Sequence, residues 1–101
     1  HVDDSVQDYI VKLVRGTREH KDVYLGCSPR GTLALFCNCR ALAFIRGREY
    51  VLPDDVKELA FCTLAHRIIL KSEAAIQGKD QCSVLAEILR NIKVPVANIN
   101  G

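Results

Sequence analysis

One stretch, Leu25-Gly-Cys-Ser-Pro-Arg-Gly-Thr-Leu33, gathers a hydroxyl, a thiol and a guanidinium within four positions. Ser28 resembles the serine of a nucleophile elbow, but the spacing is G-x-S-x-x-G and not G-x-S-x-G, and no strand pattern of the required kind precedes it. Ser28 fits better as the N-cap of a helix, with Pro29 at its first position and Arg30 at its second. That is the wrong end of a helix for a cation, because the dipole is positive there. The placement makes sense beside an anion. Free N–H groups of a first helical turn attract phosphate oxygens, and a guanidinium adds a full charge and a forked donor. Ser28, Pro29 and Arg30 are therefore the candidate phosphate-binding residues. The residues alone leave open that Arg30 is an ordinary surface arginine, or one paired with a nearby acid.

The other reactive side chains suggest less. Cys37 and Cys39 form a C-x-C pair, but on a helix two such residues point about 200° apart, and no second ligand pair sits at metal-site spacing. They are expected to be buried free thiols acting as small hydrophobes, as are Cys27, Cys62 and Cys82. No metal site is expected. His66 and Arg67 suit the end of a helix, and His20 is expected to be solvated in a polar loop. Asp54 and Asp55 are accounted for by a helix start, and Glu73 and Glu87 have no evident partners. No G-x-x-x-x-G-K-[ST] phosphate loop is present, nor an apolar run ending in acids that could hold Mg²⁺. Alone, this chain is expected to hydrolyse nothing.

The elements that must position the Ser28–Arg30 stretch are helices. The chain has 101 residues, 49% of them hydrophobic, which is the scale and composition of one domain with a true core. The net charge of +2, from 14 basic and 12 acidic residues, is too even to indicate nucleic-acid binding. Five cysteines, an odd count without a framework, fit free thiols in a reducing cytoplasm. No apolar run approaches the roughly 20 residues of a membrane span. The chain opens in a capping pattern without an initiator Met, as an excised piece of a longer protein would.

A first helix is expected over Asp4–Thr17, capped by Asp3, with Val6, Tyr9, Ile10, Leu13 and Val14 as its apolar stripe and Gly16 as a weak end. A second is expected from Pro29 to about Arg46, ended by Gly47. Its apolar residues spread nearly all round, which predicts a central, buried helix. A third begins at Pro53 with the stripe Val56, Leu59, Ala60 and Leu64. Arg67–Leu70 reads as a short extended piece, and Lys71–Lys79 as a polar segment ending in a turn at Gly78. The last helix starts near Asp80, with Leu85, Ile88, Leu89 and Ile92 inward, and residues 94–101 are expected to fray. The fold class is all-α: a small four-helix domain with one minor extended segment.

The order of these segments resembles the C-terminal lid of MoxR-type AAA+ ATPases. The residues that carry the likeness are "DYIVKLVRGTR" (8–18), "LGCSPRG" (25–31), the helix end "AFIRGREYV" (43–51), "PDDVKELA" (53–60) and "LAHRI" (64–68), spread over residues 2 to about 92. The resemblance implies a helical lid that follows a P-loop AAA+ core. It gives Arg30 the sensor-2 role: a catalytic arginine that reaches the γ-phosphate of ATP held between core and lid and reports nucleotide state through lid movement. It also implies ATP and Mg²⁺ as cofactors of the full-length protein, with neither bound tightly by the lid alone. Implied partners are the core of the same chain, neighbouring subunits of a hexamer, and von Willebrand factor A domain proteins served by a chaperone-like motor. Two features depart from the pattern. Leu52 stands where a hydroxyl cap is expected before Pro53, which costs about 1 kcal/mol, and Cys37 and Cys39 stand where small or aliphatic residues are expected. The alternatives are a helical protein-interaction module and a DNA-binding domain. The second is disfavoured because acids stand at the starts of the first, third and last expected helices and the basic residues do not cluster.

Overall fold

In the computed structural model, which describes residues 2–94, helix α1 runs over Asp4–Glu19. The Asp3 carboxylate caps it by accepting from Ser5 N–H at 3.2 Å. The predicted stripe of Val6, Tyr9, Ile10, Leu13 and Val14 is buried throughout. The helix does not weaken at Gly16 but passes through it, because glycine is needed there for packing. A Cβ on Gly16 would stand 2.6 Å from Ile88 Cγ2, so its absence lets helix α5 (Gln81–Asn91) lie close.

Helix α2 spans Pro29–Ile45 and is not the central helix its composition predicts. Gly31, Leu35, Cys39 and Ala43, four residues apart, form a single buried stripe. Leu33 is 64% exposed, Phe44 81% and Ile45 78%. The helix packs mainly on α3 (Pro53–Leu64), so only one side is covered. An apolar residue at the surface and one in the core look alike in a sequence. Gly47, at φ +75°, ends α2 in the left-handed region as expected.

Asp55 is more than the helix-start acid the sequence suggests. It is fully buried and takes a two-point ion pair from Arg48, with Arg46 adding a contact at 3.3 Å. Its carboxylate also accepts from Leu52 N–H at 2.8 Å, which offsets part of the missing hydroxyl cap at Leu52. Val56, Ala60 and Leu64 turn inward from α3, and Leu59 is half-buried.

A 3₁₀ turn, Ala65–Arg67, follows α3. Strand β2 (Ile69–Leu70) then pairs antiparallel with β1 (Val23–Leu25), matching Val23 to Leu70 and Leu25 to Ile69. The expected extended piece is thus real but shorter, with Arg67 in the turn. The segment expected to be polar and irregular contains a short helix, α4 (Ser72–Ile76), that buries only Ala74. Gly78 turns the chain at φ +86°, and Asp80 caps α5 by accepting from Ser83 N–H at 2.7 Å. Val84, Leu85, Ile88 and Leu89 face the core from α5. The expected frayed tail falls outside the described residues from 95 onward, and Lys93 and Val94 are exposed.

The core joins α1, α3 and α5 with one side of α2, around Tyr9, Ile10, Leu13, Leu35, Val56, Leu64, Ile68 and Leu85. Cys27 and Cys39 are buried, whereas Cys37, Cys62 and Cys82 are exposed and are not the core residues expected. Burial, with the nearby Asp55 charge, pushes the Cys39 thiol up to about 12.

Candidate functional site

The segment that leads into α2 is fixed by the end of α1. Thr17 is wholly buried, and its hydroxyl donates to Val14 O at 2.6 Å and accepts from Cys27 N–H at 3.0 Å. Arg18 Nε donates to Cys27 O at 2.8 Å. Gly26 rests directly on the α1 backbone: a Cβ there would sit 2.7 Å from Arg18 Cα. Neither Thr17 nor Arg18 carries a signal in the sequence that marks it for this contact. The nearest available signal was Gly26, a residue type that permits close backbone approach.

Ser28 takes the extended conformation of an N-cap, φ −80° and ψ 166°, and its Oγ accepts from Gly31 N–H at 3.3 Å. Pro29 and Arg30 follow at the first two helical positions, and all three residues are exposed. The Arg30 side chain makes no hydrogen bond or ion pair with another described residue. Pro29 has no N–H, Gly31 gives its own to Ser28, and Thr32 gives its own to Ser28 O at 3.1 Å. Arg30 therefore presents one backbone N–H and its guanidinium. The anion-binding capacity of this terminus rests on the side chain more than on the row of free amides that the sequence reading supposed.

Behind the first turn lie Cys27 and Arg67. A Cβ on Gly31 would press on the Cys27 thiol and come within 3.1 Å of Arg67 Cδ. Arg67 is anchored by its Nε donating to Thr63 O at 3.1 Å, the capping role expected of it. Burial raises the pKa of the Cys27 thiol, although Arg18 and Arg67 pull the other way. It is not a poised nucleophile. Two open grooves flank the turn. One, of ≈ 460 Å³, runs from Tyr24 and Leu25 to Pro29, and one of ≈ 340 Å³ runs from Val11 and Arg15 to Thr32. Arg18 and Pro29 line both.

Two expectations fail nearby. His20 is not solvated: its side chain is 9% exposed, and Nδ1 accepts from Asp22 N–H at 3.0 Å. Its Nε2 stands 3.3 Å from Glu87 Oε2, so Glu87 is not without a neighbour. Lys79 pairs with Asp22 at 2.8 Å and holds that carboxyl below its ordinary range. This cluster ties the end of α1 to α5 and does not reach Arg30. Among the described residues, no group of three His, Cys, Asp or Glu could hold a metal ion, and no helix is long and apolar enough to cross a membrane. The chemistry available at the α2 terminus is to offer a cation to an anion brought from outside.

The sequence matches the AAA lid domain family over residues 15–88. It is 46% identical, over 93% of this chain, to the uncharacterised protein YeaC of Bacillus subtilis, and 32% identical over 93% to the chaperone MoxR1 of Mycobacterium tuberculosis. These alignments occupy 29% and 27% of the two relatives. A crystal structure from Cytophaga hutchinsonii, of a protein provisionally described as an ATPase, superposes with a TM-score of 0.87 at 35% identity, over 94% of this chain and 32% of that one. The chain spans under a third of the length of each of these relatives.

Proposed function

The chain belongs to the AAA lid domain family and is homologous to MoxR-family chaperones, and from that premise we propose that it closes over ATP in an AAA+ ATPase and senses the γ-phosphate through Arg30. One observation carries this reading. Arg30 is exposed and free of partners among the described residues, at the second position of a helix whose start is locked to the core. A cation left unneutralised at the positive end of a helix is stabilised when an anion arrives. The residues fit a phosphate: Arg30 brings an exposed forked donor and a backbone N–H without a partner among the described residues. They do not fit Mg²⁺, since no acidic cluster adjoins the turn, so the metal falls to the P-loop core of the same chain. Bound Mg²⁺-ATP supplies the scissile phosphoryl group. This domain supplies Arg30 to bind its charge, Ser28 to cap the helix and Pro29 to set its first turn.

The wider reading rests on the resemblance to MoxR-type AAA+ ATPases, among which the relatives support a chaperone homologue only. The full-length protein is a chaperone-like AAA+ motor in the cytoplasm, assembled as a hexamer and acting on partner complexes that include von Willebrand factor A domain proteins. The experiment is Arg30→Ala in the full-length protein. Turnover of ATP is expected to fall about a hundredfold or more, the scale of losing one preorganised charge donor, while the isolated domain keeps its circular dichroism and melting temperature. Turnover equal to that of the unaltered protein would remove the sensor role.

One observation favours a second reading, a protein-contact role. Leu33, Cys37 and Phe44 repeat along the solvent side of α2 and are exposed, a larger apolar surface than a helix needs in water. This role gains if Phe44→Ser disturbs assembly while Arg30→Ala leaves turnover intact.

A further inference from the structure

We propose that Thr17 is a positioning residue for Arg30, so that the last turn of α1 sets where the sensor guanidinium lies; this rests on the sensor reading above. Arg30 has no partner of its own among the described residues, so its location is inherited from the backbone of the first turn of α2. That turn starts at Ser28, and the residue before it, Cys27, is held at both of its backbone polar groups. Thr17 Oγ1 accepts its N–H at 3.0 Å and Arg18 Nε donates to its C=O at 2.8 Å. Consecutive residues of one helix thus clamp one residue of the incoming segment. Gly26 closes the clamp, because its missing side chain leaves it seated against Thr17 O and Arg18 Cα, where a Cβ would lie within 2.8 and 2.7 Å.

The side chain at position 17 has a narrow specification. It must be small enough for a site with 0% exposure, donate back to Val14 O, and accept from a strand-side N–H ten residues away. Serine and threonine do this; valine fills the same volume with neither bond. Breaking the clamp leaves the fold's apolar contacts in place and frees Ser28–Arg30 to shift. A displacement of about 1 Å in a positioned group can cost on the order of a hundredfold in rate.

The test is a mutant cycle in the full-length ATPase with Thr17→Val, Thr17→Ser, Arg30→Ala and the double variant Thr17→Val/Arg30→Ala. Thr17→Val is expected to lower kcat about tenfold or more with KM for ATP nearly unchanged, because the lost contact acts in the transition state. Thr17→Ser restores kcat. The double variant is no slower than Arg30→Ala alone, which a merely structural role for Thr17 would not produce. Arg18→Met, which removes the second anchor without touching the core, is expected to move kcat in the same direction by less, and covers the case in which Thr17→Val does not fold. If Arg30→Ala lowers turnover but Thr17→Val does not, or if their effects add in full, the positioning role is wrong and the sensor reading stands. If Arg30→Ala itself leaves turnover unchanged, both fall.

Discussion

Arg48 and Asp55 meet in a two-point ion pair across the bend between α2 and α3, with Nη1 2.7 Å from Oδ2 and Nη2 2.7 Å from Oδ1. The carboxylate is buried, and its remaining capacity is filled by Arg46 at 3.3 Å and by Leu52 N–H at 2.8 Å. A bend that leaves Gly47 in a left-handed conformation is pinned by this pair.

Removing that carboxylate strands a guanidinium that is largely covered, together with a helix-start N–H. Asp55→Ala is expected to lower unfolding free energy by about 3 kcal/mol, read from urea titration; a loss under about 1 kcal/mol would mean the pair adds little. The same pair predicts an acid limb. The Arg48 hydrogen bonds hold the Asp55 carboxyl below its ordinary 3.8, against the cost of burial. The folded state therefore binds fewer protons than the unfolded chain near that pH. The pair's contribution is complete above about pH 5 and is lost as pH falls through the folded value. In Asp55→Asn this part of the acid limb should disappear.

Exposure divides the thiols. Cys37, Cys62 and Cys82 are expected to react with an aromatic disulfide reagent in the native protein, and Cys27 and Cys39 only after denaturation. Burial raises both of the latter thiols, so neither offers thiolate at neutral pH. Five equivalent fast reactions in native buffer would contradict the packing of α2.

On the proposed reading the isolated domain would offer one guanidinium and one N–H to a triphosphate, and among its described residues no group of three His, Cys, Asp or Glu could hold a metal ion. Its dissociation constant for ATP is expected in the millimolar range or weaker, where a few exposed polar contacts barely offset the loss of ligand freedom. Calorimetry giving a micromolar value would place a larger part of the nucleotide site on this domain.

Much of the architecture was legible because it is written in local signals. Asp3, Ser28 and Asp80 cap helices through side-chain acceptors reaching two or three residues ahead, Gly47 and Gly78 turn the chain at positive φ, and the stripes of α1, α3 and α5 repeat at the helical period. The start of α2 at Pro29, with Arg30 one position inside it, was legible for the same reason. The short α4 was not, because five residues, little more than one turn, are too few to show a period.

The starts of the helices, the apolar stripes of α1, α3 and α5, and an arginine placed after a cap and a proline can all be read along the chain, since each depends on groups within about one turn of each other. Only the tertiary structure decided that α2 is covered on one side, that Asp55 is sealed by Arg48, that His20 lies against Glu87, and that Thr17 grips Cys27. Each of those depends on which faces of separate elements meet, and a burial or a hydrogen bond between residues 7 to 67 positions apart leaves no periodic trace in a single chain.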